Sequence, residues 1–416
     1  MTKLAGPLDG YRVIELAQWV FVPSATAILA ELGAEVIRIE HPVQGDPYRA
    51  LTTSGYMNNS GMLEARSAQV NRGKRSIGLD VSIPEGQAVA RRLIVGADAF
   101  VTSLRADALR RFGMLPEDLR ALNDKLVYAR GDAFGPQGPE SGSPGYDITA
   151  FWARGGVGAI LTPPGAAEIV KQPPSFGDRI ASLGLGLGII AAFLQRERGA
   201  QPQNVSASLM AAAAWVTASD LVSLPPGRPA EAAPAVPAPA DEGRTAPSPS
   251  QSAPLTRAYR CRDGRFLMIN LMQSERYYER FCKAIGAPQL ISDERFADHA
   301  ARARHAEALF TELESRIAQR PLAEWSRLLA DFDGPWAPVQ DAREFRDDPQ
   351  VVANGFLREV TGSDGMKLVR APFTVGEVPA ELPRSPELGE HTELILLELG
   401  LTWDDIESLK NAGAII

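Results

Sequence analysis

The sequence predicts an α/β fold, in which a mostly parallel sheet is covered by helices on both faces, with a smaller α+β domain after it. Three observations carry that prediction. Short apolar runs rich in Val and Ile alternate with helical patterns between residues 11 and 129. A Pro-rich stretch interrupts the chain at 225–254. Beyond it the order changes to a hairpin pattern followed by several helices.

Residues 11–16 (YRVIEL) read as the first strand, 24–32 (SATAILAEL) as a helix stopped by Gly33, and 35–40 (EVIRIE) as the second strand. That is a βαβ unit with a short crossover. Residues 75–81 (RSIGLDV) read as the next strand. Ser82 then caps a helix with Pro84 and Glu85 in its first turn, and Gly96 stops it. Residues 99–104 (AFVTSL) and 126–129 (LVYA) continue the strands, separated by helices at 106–112 and 116–122. Repeated alternation of this kind argues for a sheet buried on both faces. A Gly- and Pro-rich loop covers 131–145. Residues 178–196 read as a long helix, whose Gly184, Gly186 and Gly188 follow no strand and so read as close helix packing rather than a dinucleotide loop. Residues 204–222 read as helical.

The stretch 225–254 holds nine of the 32 prolines and almost no large apolar residue, so it reads as an extended spacer. Residues 258–272 read as a hairpin turning at Asp263 and Gly264. Helices follow at 274–285, 300–318 and 322–329. Residues 357–372 return to paired strands across 362–365, and 392–416 read as helical. The expected organisation is a large domain at 1–223, a linker at 224–254, a small α+β domain at 255–350 and a final segment at 351–416.

Composition narrows the function. The chain of 416 residues carries 43 Lys plus Arg against 51 Asp plus Glu, a net charge of −8. A protein built to hold nucleic acid is usually basic, so that class is excluded as the main role. Two cysteines, Cys261 and Cys282, make neither a disulfide framework nor a four-thiolate metal site. Four histidines at no ligand spacing argue against a metal. No signal peptide or membrane span of about 18 apolar residues is expected, which reads as a soluble cytoplasmic protein.

Basic residues nevertheless gather near predicted strand ends: Arg38 and His41, the NRGKR run at 71–75, Arg105 with Arg110 and Arg111, and Arg130. Ligands of open α/β sheets bind at the carboxyl ends of strands. Basic clusters there in an acidic chain point to a polyphosphate ligand. The first strand–helix loop lacks G-x-G-x-x-G, which argues against NAD. Among carboxylates, Asp147 lies at a loop–helix boundary and Glu168 stands alone between Asp147 and Asp178. Asp178 opens the long helix, as a cap or as a site residue. No G-x-S-x-G elbow is present.

In order and spacing, several runs together resemble the class III CoA-transferases of the CaiB/BaiF type, the family of carnitine, formyl and oxalate CoA-transferases. They are LDGYRVIELAQWVFVPSATAILAELGAEVIRIE with GDPYR, NRGKRSIGLDV with PEG, LVYARG before FGPQGP and PGYD, and FGDRIASLGLGLGIIAAFLQRERG. DGRFLMINL, PVQDAREFRDDPQV and LGEHTELILLELGLTWDDIESLKNAG complete the set. The resemblance implies a Rossmann-like large domain, a small domain, a C-terminus returning to the large one, and an interlocked homodimer. It implies CoA or acyl-CoA as substrate, with a carboxylic acid as acceptor and no bound cofactor. It implies CoA contacts at Arg38 or His41, Lys74, Arg75, Ser103, Arg111 and Arg130.

The resemblance also implies a carboxylate nucleophile that forms acyl and CoA adducts with the enzyme. It is expected in the loop about a dozen residues before the Asp matching Asp178. Gly165, Ala166 and Ala167 stand there, so the candidates are Glu168, Asp178 and Asp147. Phe21 and Val22 replace the usual Ala-Gly before Pro23 and narrow the acyl side. Two other readings remain. One is an α-methylacyl-CoA racemase-like isomerase, against which Tyr146 stands where those enzymes carry His. The other is a CoA-binding protein without transferase activity.

Overall fold

A computed structural model describes residues 6–51, 60–163, 165–201, 204–224, 253–377, 379 and 381–416. Most of the Pro-rich stretch, 225–252, lies outside the described residues. The chain divides into two compact units, Met1–Ala233 with Asn354–Ile416, and Pro234–Ala353.

The first unit is built on a six-stranded sheet. Its strands are β1 (Arg12–Leu16), β2 (Glu35–Glu40), β3 (Arg75–Gly78), β4 (Ala99–Thr102), β5 (Val127–Asp132) and β6 (Asn204–Ser208). The order is β3-β2-β1-β4-β5-β6 and every pairing is parallel. Parallel strands covered on both faces must be apolar on both, and β4 (AFVT) is buried along its whole length. Val13, Val36, Val101 and Ala129 face one core with the helices Phe21–Glu31 and Phe176–Glu197. Ile14, Ile37, Ile77 and Phe100 face the other with Leu93, Leu109 and Leu396. The strand order reverses between β1 and β4, so a crevice opens at their carboxyl ends.

Several expectations change. Residues 204–222 are not one helix. NVSAS alternates, with Val205 and Ala207 more enclosed than Asn204 and Ser206, so it joins the sheet edge as β6. Ser208 then caps the helix Leu209–Val216 by accepting from the Ala211 amide at 3.0 Å. The first helix starts at Phe21 rather than Ser24. Pro23 fits its first turn, where an N–H would have no intrahelical partner. Strand β3 stops at Gly78, and Leu79 bridges Ile415 instead. The last 25 residues therefore hold two helices, Thr392–Glu398 and Trp403–Asn411, and then an extended end.

The helix Phe176–Glu197 is long and apolar enough to cross a membrane, with a mean hydropathy of 1.5, although the sequence led us to expect no such segment. Within the fold its Leu185, Ile189, Ala192 and Phe193 are buried in the core. Of its three central glycines only Gly188 backs tightly onto a neighbour, where an added Cβ would lie 2.7 Å from Val205. Gly184 faces open space, so close packing explains one of the three.

In the second unit β7 (Thr256–Arg260), β8 (Phe266–Asn270) and β9 (Trp336–Pro338) form an antiparallel sheet. Gly264 turns the hairpin at φ +80°, where a side chain would be strained. The expected helix 300–318 is two pieces, His299–Arg304 and Ala306–Ile317, broken at His305. Trp325, Phe281 and Ile269 are fully enclosed in its core.

Candidate active site

The crevice at the strand reversal is shaped by the loop after β1. The Gln18 amide donates to Ser103 Oγ, beyond the end of β4, at 3.0 Å. The next amide, of Trp19, donates to both carboxylate oxygens of Asp46 at 3.2 Å. Trp19 is held at φ +69°, a left-handed conformation that costs a non-glycine residue about 1–3 kcal/mol. Ser175 at φ +59° is the other such residue among the described ones. It stands immediately before the helix Phe176–Glu197, so both strained residues border the region of Asp147 and Asp178. The Trp19 ring meets Tyr146 edge-on at 5.5 Å, and Tyr146 precedes Asp147.

Asp147 is buried, and both its oxygens accept from the Gly177 amide at 3.1 and 3.2 Å. An added Cβ on Gly177 would stand 2.4 Å from Asp147 Oδ1 and 2.2 Å from Phe151, which explains the glycine. Burial raises the Asp147 pKa, while the Gln172 side chain and the Asp178 and Gly177 amides pull it down. Asp178, in the first turn of the same helix, is pushed up to about 7. Burial is the larger cause and the Asp147 charge the second, with Arg179 opposing both. Arg179 donates to Ser24 at 3.0 Å. Phe151 and Trp152 meet Phe176 edge-on, and Phe151 packs beside Gly177 and the Asp147 carboxylate. Two carboxylates in a partly dry site, with no cation bonded to either among the described residues, form an arrangement that keeps one of them basic near neutral pH.

Glu168 is exposed. The basic residues expected to hold CoA fall into three groups. Arg38 and Lys74 are fully enclosed. Arg38 pairs with Asp46, Glu15 (3.4 Å) and Glu40 (3.6 Å) and donates to Asn71. Lys74 Nζ donates to Glu15 at 2.6 Å and to the Pro23 carbonyl at 2.9 Å. Burial, helped by the Arg38 charge and opposed by Glu15, pushes Lys74 down to about 7. These two are committed inside the fold.

Arg75 opens β3, at the amino end of the sheet, and pairs with Glu35 and Glu398. The NRGKR run precedes its strand, so Arg75 is delivered to the end of the sheet opposite the crevice. The third group lies at the carboxyl ends. His41 follows β2, Ser103 follows β4, and Arg130 sits near the end of β5 with its Nε enclosed and unpaired. His41 lines a cavity of about 210 Å³ with Arg38, Asp46, Ser82, Leu104 and Phe112. Arg111 is exposed, its guanidinium 6.0 Å from the Phe112 ring.

Sequence reasoning missed Trp19 as a strained residue, Gly177 as a contact of Asp147, and Asp46 as the acid beneath the loop. The GDPYR run held Asp46 in plain view. Its effect on Trp19 depends on a fold that brings residues 27 apart into contact.

The model of CoA-transferase family III matches residues 8–392. The chain is 28% identical to an (R)-2-hydroxy-4-methylpentanoate CoA-transferase of Clostridioides difficile, over 98% of this chain and 99% of that protein. It is 31% identical to a succinate–glutarate CoA-transferase of Agrobacterium fabrum, over 94% and 96%. A crystal structure of a CaiB/BaiF family protein from Brucella suis superposes with a TM-score of 0.76 at 28% identity, covering 95% of this chain and all of that one. With a six-stranded parallel sheet, a reversal crevice and a match across nearly its whole length, the chain belongs to CoA-transferase family III.

Proposed function

We propose that the chain moves CoA from an acyl-CoA donor to a carboxylic acid acceptor through covalent intermediates on Asp178. The observation that carries this reading is the Asp178 carboxylate, raised to about 7 by burial and by Asp147 at the start of a helix. A carboxylate is a weak nucleophile, and a raised pKa makes it a stronger one. Asp147 is engaged by the Gly177 amide, which favours a supporting role for it. The exposure of Glu168 argues against that residue.

In the proposed cycle the Asp178 oxygen attacks the thioester carbonyl and CoA leaves as thiolate, giving a mixed anhydride. The thiolate then attacks the Asp178 carbonyl carbon, releasing the donor acid and leaving an enzyme thioester. The acceptor carboxylate attacks that thioester and frees the thiolate again, forming a second anhydride. Attack of the thiolate on the acceptor's acyl carbon gives the new acyl-CoA and restores Asp178. The helix N-terminus favours the carboxylate and the oxyanions that form there. The aromatic walls limit water, which would hydrolyse the anhydride. The cavity beside His41 is our assignment for part of CoA, with Ser103, Arg111 and Arg130 at the same end of the sheet. An interlocked homodimer belongs to the same proposal, and the exposure of Leu187, Trp215 and Val222 supports it.

Incubation with acyl-CoA followed by hydroxylamine, with mapping of the modified peptide by mass spectrometry, tests the nucleophile. Modification at Asp178 is expected. Modification at Asp147 or Glu168 would move the role to that residue, and α-proton exchange in deuterium oxide without any adduct would favour an isomerase.

A further inference from the structure

The loop 17–23 is held from below at both ends by one buried set of charges. At its start the Trp19 amide donates to Asp46. At its end the Pro23 carbonyl accepts from Lys74 Nζ at 2.9 Å. Arg38 joins the two anchors, pairing with Asp46 on one side and with Glu15, the partner of Lys74, on the other. All four charged side chains are almost fully enclosed. Buried charges are expensive unless paired, and each of these four lies against an opposite charge. Asp46 does more than neutralise Arg38, because its carboxylate also caps the turn at the Tyr48 amide, at 2.8 Å. That leaves Trp19 fixed in a conformation its side chain disfavours, with its ring against Tyr146, next in the chain to Asp147.

We infer that Asp46 is a positioning residue for the transfer reaction: it pins the Trp19 backbone, and through the Trp19–Tyr146 contact it sets the wall beside the Asp147–Asp178 pair. Asp46 and Arg38 then serve catalysis by holding a loop, in addition to lining the cavity beside His41. The inference builds on the reading of Asp178 as nucleophile and adds a residue to it.

The test measures the rate of acyl-enzyme formation in a single turnover with acyl-CoA, alongside CoA affinity, for Asp46→Asn, Trp19→Ala and the double variant. Asp46→Asn is expected to slow acylation 10- to 100-fold and, because Asp46 also lines the cavity beside His41, to weaken CoA binding by a clearly smaller factor. In the Trp19→Ala background the same change is expected to add less than threefold. Full additivity, or a loss of CoA affinity matching the loss of rate, would overturn the inference. If Asp46→Asn fails to fold, Trp19→Gly and Trp19→Phe decide. Gly accepts the left-handed backbone without the ring, so slow acylation by Trp19→Gly with near-normal acylation by Trp19→Phe supports the ring's role. Parent-like acylation by Trp19→Gly refutes it. Asp178→Asn serves as the separate control: if it still acylates, the nucleophile assignment fails, while the coupling between Asp46 and Trp19 remains readable from overall turnover.

Discussion

At the amino ends of the central strands the charges are matched to one another. Arg12 pairs with Glu35, Arg75 with Glu35 and Glu398, and Arg196 with Asp98. Within that set the Glu35 carboxyl sits below its usual range: burial opposes this, and hydrogen bonds from Arg12 and Arg75 outweigh it. At the carboxyl ends the logic reverses. Asp147 and Asp178 lie near each other without a bonded cation among the described residues, both are raised, and two strained residues flank them. One sheet therefore ties its charges together at one end and, at the other, sets two unmatched acids beside the paired set of Arg38, Asp46, Glu15 and Lys74. At the amino ends matched pairs serve the fold, and at the carboxyl ends the buried pairs hold the loop beside the acids. Unmatched acids under strain mark where chemistry is done.

The largest test of that contrast is Asp178→Asn. Turnover should fall at least about 10³-fold, since the proposed cycle has no other acceptor for the acyl group. Stability should move the other way. Above the ordinary Asp range the folded state holds a proton that the unfolded state has lost, so stability falls as pH rises toward 7. At pH 8 the Asn variant should therefore have a larger unfolding free energy than the parent, by an upper bound of about 4 kcal/mol, with the gain vanishing below about pH 4. A variant that is inactive and also less stable at pH 8 would put Asp178 among the matched, structural charges.

Much of this contrast was legible in the sequence and some was not. Alternating runs such as EVIRIE announce strands because period and apolarity are local properties. The edge strand NVSAS did not announce itself, because two Ser, an Asn and an Ala look like the start of the apolar helix that follows. Asp178 was a candidate from its place before a helix, but cap and reactive acid look identical until burial is known. The basic residues were the hardest to assign. Arg38, Lys74 and Arg75 all lie near strands, yet two are sealed inside and one sits at the amino end. A charge in a sequence carries no sign of which end of a sheet it reaches or which acid it meets.

The pH dependence of the parent enzyme gives a smaller effect that sharpens the same comparison. Only ionised Asp178 can attack a thioester. The rate of acylation should rise about tenfold per pH unit below about pH 7 and level off above it. A profile governed by a carboxylate of ordinary pKa would already be flat at pH 6. Stopped-flow measurement of CoA release over pH 5 to 8 separates the two, and a flat profile would mean that Asp178 is ionised and paired in the working enzyme.

The smallest expected effect lies at the amino end, with Arg75→Ala. Arg75 is partly exposed and shares Glu35 with Arg12, so Glu35 keeps one cation when Arg75 is removed. Partly exposed ion pairs contribute about 0–1 kcal/mol each, and the loss in unfolding free energy should stay near that size. CoA affinity, read by titration calorimetry, should change by less than about twofold, because ligands of such sheets enter at the other end. The groove at this end, about 600 Å³ and lined by Arg12, Glu35, Arg75 and Asp98, makes the measurement worth doing. A tenfold loss of CoA affinity would show that a phosphate reaches the groove, and the division of the sheet into a structural end and a reactive end would fail there.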